Sequence, residues 1–101
     1  MHVIEVFLPL YDNRGLRQPK KLFGAVRTKL VEKFGGMTAH SQTPVTGLWK
    51  DKGHTEKDAL VIFEVMSRGL DRRWWKRYRR ELEWQFGQKE LVVRAQKIER
   101  L

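Results

Sequence analysis

The stretch from Leu70 to Gly87, L-D-R-R-W-W-K-R-Y-R-R-E-L-E-W-Q-F-G, constrains the fold of this chain more than any other. At a helical period Trp75, Tyr78, Leu82 and Phe86 follow one another in steps of three, four and four, and Trp74 widens the stripe. A stripe of that bulk needs a second layer to cover it. Arg73, Lys76, Arg77 and Arg80 share another face, which needs water or an anion. Asp71 precedes the helix as an N-cap acceptor, and Gly87 ends it.

The covering layer is legible as strands. His2 to Tyr11 alternates Ile4, Val6, Leu8 and Leu10 against Val3, Glu5, Phe7 and Pro9, with Pro9 marking an end or an edge. Asp12-Asn13-Arg14-Gly15 is a turn cluster in a loop running to Gln18. Pro19 suits the first position of a helix whose apolar face is Leu22, Phe23, Val26, Leu30 and Phe34, and Gly35-Gly36 stops it. Met37 to Lys50 reads as a less regular strand, and Pro44 makes it an edge strand or bulges it. Asp51-Lys52-Gly53-His54 is a polar hairpin connection. Lys57 to Met66 alternates most clearly, with Ala59, Val61, Phe63 and Val65 against Leu60, Ile62, Glu64 and Met66. Glu90 to Ile98 is the last strand.

The order β-α-β-β-α-β predicts one α+β domain over 1–101, a ferredoxin-like sandwich. Its four-stranded antiparallel sheet takes the order 4-1-3-2, with both helices on one face. A chain of 101 residues with 41% hydrophobic residues is long enough to bury a core. Without cysteine it has no disulfide, thiolate metal site or cysteine nucleophile. No apolar run reaches the ~20 residues of a membrane span. The opening M-H-V-I-E-V-F-L-P-L lacks the basic n-region and cleavage site of a signal peptide, so a cytoplasmic chain is expected. The net charge of +9 favours anionic partners, although such a surplus also serves solubility.

The segments L-P-L-Y-D-N-R-G, F-G-G-M-T-A-H, G-L-W-K and W-W-K-R-Y-R-R-E-L, spread over nearly the whole chain, resemble a family of small uncharacterised bacterial proteins. The resemblance implies a ferredoxin-like fold and brings no established activity. At the level of architecture alone the chain is similar to dimeric α+β barrel proteins, which pair two such sheets face to face.

Three surfaces are candidates for function. The first is the end of the sheet that collects the loops and the N-terminus of the first helix. Tyr11, Asp12, Asn13, Arg14, Trp49, Lys50, Lys52 and His54 would gather there as a pocket for an anionic small molecule. The simpler reading, in which Asp12 and Asn13 only make turns, is preferred. The second is the sheet face away from the helices, where Glu5, Phe7, Ile62, Glu64, Met66, Arg94 and Ile98 are too apolar a set to leave wet. A homodimer would cover them. Glu5, Glu64 and Arg94 near its middle are either acid/base or ligand-binding groups, or an ion network that fixes register, the latter preferred. The third is the basic helix face of Arg73, Lys76, Arg77 and Arg80, able to hold phosphates without reading sequence. A solvated face with Arg77–Glu81 and Arg79–Glu83 pairs is preferred. Trp84 falls off the apolar stripe, as a residue packed under the last loop or as an exposed anchor.

RNA-recognition domains with this topology stack bases on the sheet. Here A-L-V-I-F-E-V-M lacks their basic-glycine-aromatic signature, which argues against sheet-face RNA binding. His2, His40 and His54 are too dispersed for a metal set, and neither a triad spacing nor a glycine-rich phosphate loop occurs, so no cofactor or metal is expected. The expectation is a homodimeric ligand-binding or protein-interaction module without established catalysis. An α+β barrel enzyme with a cavity between the sheets is the first alternative, and a non-sequence-specific nucleic-acid binder the second.

Overall fold

Alternation in the first strand decides where the core lies. In the computed structural model, which describes residues 1–42 and 59–101, β1 (His2–Pro9) buries Ile4, Val6 and Leu8 almost completely and leaves Val3, Glu5 and Phe7 half-covered. It pairs antiparallel with β3 (Leu60–Ser67) on one side and β4 (Val93–Lys97) on the other, and β2 (Thr38–Gln42) joins the far side of β3. The sheet order is β2-β3-β1-β4, which from the opposite edge reads β4-β1-β3-β2. Val6 lies between Phe63 and Val93, so the inner residues of all three strands meet in one layer.

Helices α1 (Lys20–Phe34) and α2 (Arg72–Gln85) close that layer together. Val26 and Leu30 of α1 and Trp75, Tyr78 and Leu82 of α2 share one cluster with Ile4, Val6, Leu8, Phe63 and Val65. Aromatic rings join the helices: Phe34 stacks on Trp75 with centroids 5.5 Å apart, and Phe23 meets Phe86 edge-on at 5.4 Å. Each such pair adds about 0.5–1.5 kcal/mol beyond the area buried. The result is a small α+β domain, an open four-stranded antiparallel sheet with two helices on one face, compatible with a ferredoxin-like arrangement.

Local chemistry sets the helix ends. The Asp71 carboxylate accepts from the Trp74 amide at 3.0 Å, an N-cap contribution of about 0.5–2 kcal/mol. Gly35 closes α1 in the left-handed conformation, φ 85, where its amide donates to the Val31 carbonyl and a side chain would be strained.

The boundaries differ from the sequence expectation by a residue or more at several ends; β3, for one, runs on to Ser67, and β4 stops at Lys97. Pro19 is the N-cap of α1, extended at φ −60 and ψ 137, and Lys20 is the first helical residue. Proline fixes φ near the same value in both positions, so its presence could not separate them. β1 ends at Pro9, and Tyr11 forms an isolated bridge to Arg17. β4 begins at Val93 because the Leu91 amide donates to the Glu83 carboxylate at 2.9 Å instead of entering a ladder. Pro44 and the Asp51–His54 connection lie outside the described residues. Within those residues no helix is long and apolar enough to cross a membrane.

Candidate functional site

The loop end is tied together by its own hydrogen bonds. One Asp12 carboxylate oxygen accepts from the amides of Arg14 and Leu16, each at 2.9 Å, and the other from the Arg14 guanidinium at 3.3 Å. The Leu16 amide, then Arg14, hold this carboxyl below its usual 3.8 against a smaller opposing effect of burial. A depressed carboxyl stabilises the loop above about pH 4, and the contribution is lost as pH falls through the folded value. Asn13 donates to the Gly87 carbonyl at 3.2 Å, and the buried Gln18 amide donates to Phe86 at 3.0 Å, which anchors the loop to the end of α2. Arg17 lies over the Tyr11 ring at 5.6 Å. Tyr11, Asp12, Asn13 and Arg14 are thus brought together by a turn. Trp49, Lys50, Lys52 and His54 lie outside the described residues.

The sheet face opposite the helices is organised by register. Glu5 sits directly between Glu64 on β3 and Arg94 on β4. Arg94 Nε donates to Glu5 at 2.8 Å, and its guanidinium lies 4.9 Å from the Phe7 ring centre. His40, which sequence reasoning set aside as an isolated polar residue, brings Nε2 to 3.7 Å from Glu64. Two opposed carboxylates would repel. Here Arg94 pairs with Glu5, and His40, diagonal to Glu64 across β2 and β3, brings its imidazole near the second carboxylate without a hydrogen bond. Apolar pairs flank these charges, Phe7 beside Ile62 and Val3 beside Met66. Ile62 is buried and Ile98 half-buried, while Met66 and Val92 are 48% and 55% exposed. Only pairing across the sheet could have revealed the role of His40, since nothing near it in sequence signals a carboxylate neighbour.

Arg73, Lys76, Arg77 and Arg80 are all exposed on the outer face of α2. Arg79 comes within 3.7 Å of Glu83, whereas Arg77 and Glu81 form no ion pair. Trp84 is 83% exposed. From Arg73 the steps to Arg77, Arg80 and Trp84 are four, three and four, so the indole completes the basic stripe and does not pack under a loop. On the neighbouring helix, Lys33 lies 4.6 Å over the Trp74 ring and Lys29 5.7 Å over Tyr78. Helices α1 and α2 together hold eleven basic and three acidic residues, a surplus of eight against +9 for the whole chain. Nearly all the net charge therefore belongs to one layer.

Tyr78, beneath that layer, has its phenol pushed far up, chiefly by burial and further by the Glu81 carboxylate. The unfolded phenol ionises near 10 while the folded one stays neutral. Stability is therefore intact below about pH 10 and is lost as pH rises beyond it toward the folded value. We expect Tyr78→Phe to flatten the alkaline limb of the urea midpoint measured between about pH 9 and about pH 11. Parallel limbs in the two proteins would refute this origin.

Among the described residues no group of three or more His, Asp or Glu is placed to hold a metal ion. Comparison with protein-family models, with curated proteins and with solved structures finds no match for this chain.

Proposed function

We propose that this is a ferredoxin-like module, of the kind found in the small bacterial proteins its motifs resemble, which pairs with a second copy through the helix-free sheet face and acts by binding a ligand or a protein. The observation that supports it is the composition of that face: apolar pairs flanking the Glu5–Arg94 ion pair, with no helix over it among the described residues. A two-fold axis lets one such patch cover itself, and a half-exposed methionine among apolar cross-strand pairs fits an interface core better than a wetted surface. The test is the sedimentation of the wild type against Met66→Glu. A dimer that the variant turns into a folded monomer supports the proposal, and a wild-type monomer at micromolar concentration removes it. His40 beside Glu64 favours a variant of the same reading, an enzyme whose cavity lies between the two sheets. It requires that His40→Asn abolish turnover without changing the dimer.

A second reading rests on a different observation, the concentration of charge on the helical layer with Trp84 at the end of its arginine stripe. Single-stranded nucleic acid matches that chemistry, with phosphates on Arg73, Arg77 and Arg80 and an unpaired base on the indole. Reversal of Arg73, Lys76, Arg77 and Arg80 should then abolish binding of a labelled mixed-sequence oligonucleotide. Unchanged binding would remove this reading.

A further inference from the structure

The groove between α2 and the β4 edge of the sheet lies between two of these surfaces, sharing Lys76 with the basic helix face and Arg94 with the helix-free sheet face. Its floor is Ile4, Leu70 and Trp75, with Val93 and Ala95 on the strand side, and its volume is about 230 Å³. Ile4 and Trp75 are core residues, so the floor is rigid. The wall from α2 consists of Arg72, Lys76 and Arg79, at steps of four and three along one helix face. Arg94 also borders the groove, but its Nε is committed to Glu5 on the opposite sheet face. No carboxylate lines the groove. Glu83 accepts from the Leu91 amide and stays 3.7 Å from Arg79, whose buried Nε–H finds no hydrogen-bond partner. An apolar floor with an indole and a cationic wall in which, among the described residues, only Arg79 has a carboxylate nearby is an incomplete arrangement.

We propose that this groove is a binding site for a small aromatic carboxylate, its apolar body on Trp75, Ile4 and Leu70 and its anionic group toward Arg72, Lys76 and Arg79. Size and charge both lead there. A dry apolar cavity of about 150 Å³ holds benzene. The groove here, at about 230 Å³, has room for a ring and one carboxylate. The cations supply what the floor cannot, a charge-assisted partner for the acid that a neutral molecule of equal shape would not use. The position explains why α2 ends up with cations on two sides: Arg73, Arg77 and Arg80 lie on the outer face, Arg72 and Arg79 border the groove, and Lys76 lies between the two sets. Sequence reading missed the site because Ile4 and Trp75 are claimed by the core stripe and the wall is indistinguishable from a solvated helix face.

The test titrates the whole chain with 2-naphthoate, 2-naphthalenemethanol and acetate and follows the four indole N–H signals by NMR. We expect naphthoate to move the Trp75 signal and to bind at least tenfold tighter than the alcohol, while acetate leaves the signal in place. Arg72→Glu should weaken naphthoate at least tenfold, and Ala95→Phe, which fills the strand side of the groove, should abolish the shift. Both positions are exposed, so the fold should survive; unchanged thermal melts establish that. Equal affinity for acid and alcohol would overturn the proposal by making the groove merely apolar. A response to acetate, a shift centred on Trp84, or no shift of Trp75 up to about 1 mM naphthoate, the scale of an interaction of about 4 kcal/mol, would overturn it as well.

Discussion

Val6→Asp is expected to strip this domain of much of its stability, whereas Phe7→Asp, one residue along the same strand, is expected to leave it folded and to abolish the proposed dimer. Val6 is fully buried between Phe63 and Val93 and faces both helices. A carboxylate there has no cation within its layer, and an uncompensated buried charge costs about 3–5 kcal/mol. Domains of this kind have about 5–15 kcal/mol in total. The carboxyl would retain its proton to escape part of that cost, so its folded pKa would rise above the unfolded value. The variant should therefore be most stable below about pH 4 and lose stability as pH rises through the folded pKa. Phe7 points the other way, half-buried beneath the Arg94 guanidinium. Its loss removes a cation–π contact of about 0.5–1 kcal/mol, which the domain can absorb. Urea melts at two pH values and sedimentation of both variants read the outcome. A Val6→Asp protein of wild-type stability would refute the assignment of the inner face, and a Phe7→Asp dimer would refute the interface.

The tryptophans of α2 should separate as sharply. Trp75→Ala removes a buried ring stacked on Phe34 and edge-on to Trp74 at 4.8 Å, and large aromatic truncations of this kind cost about 3–5 kcal/mol. With its pairs to Phe34, Trp74 and Tyr78 broken the upper end is expected, and at about 4–8 °C per kcal/mol even 3 kcal/mol lowers the melting temperature by roughly 12–24 °C. Trp84→Ala should stay within about 0.5 kcal/mol of the wild type, because almost nothing packs on that ring. Thermal melts of the two variants decide this directly. A destabilised Trp84→Ala would mean that the ring packs against something other than solvent, and the nucleic-acid reading would lose its stacking residue.

Much of the fold was legible in the sequence because it is written in local periodicity. Ile4, Val6 and Leu8 alternate with Val3, Glu5 and Phe7, and the α2 stripe recurs at helical steps, so each element declares the face it buries. Asp71 and Gly35 announce their caps through chemistry that acts within a few residues. Strand ends were less legible, since Pro9, Tyr11 and Leu91 are placed by partners far away in the chain. The candidate sites were legible only in part. Asp12, Asn13 and Arg14 were found as a cluster, but their spacing alone does not show that Asp12 is already taken by two amides and a guanidinium. The arginines and Trp84 were read separately, although the helix puts them on one stripe. His40 was set aside as too dispersed for a metal set, although its imidazole comes diagonally near Glu64.

The stretch from Leu70 to Gly87 shows where the division falls. By itself the sequence determined that it is a helix, where the helix starts, and that Trp75, Tyr78, Leu82 and Phe86 are its buried side, because these follow from a periodicity of a few residues. The tertiary structure alone decided that its outer charges join those of α1 to place nearly the whole surplus on one layer. It alone decided that Trp75 also floors a groove against β4, and that Glu5 meets Arg94 across 89 residues of chain. Those facts depend on which strand lies beside which helix, a choice made by long-range packing of the whole core and encoded in no single stretch.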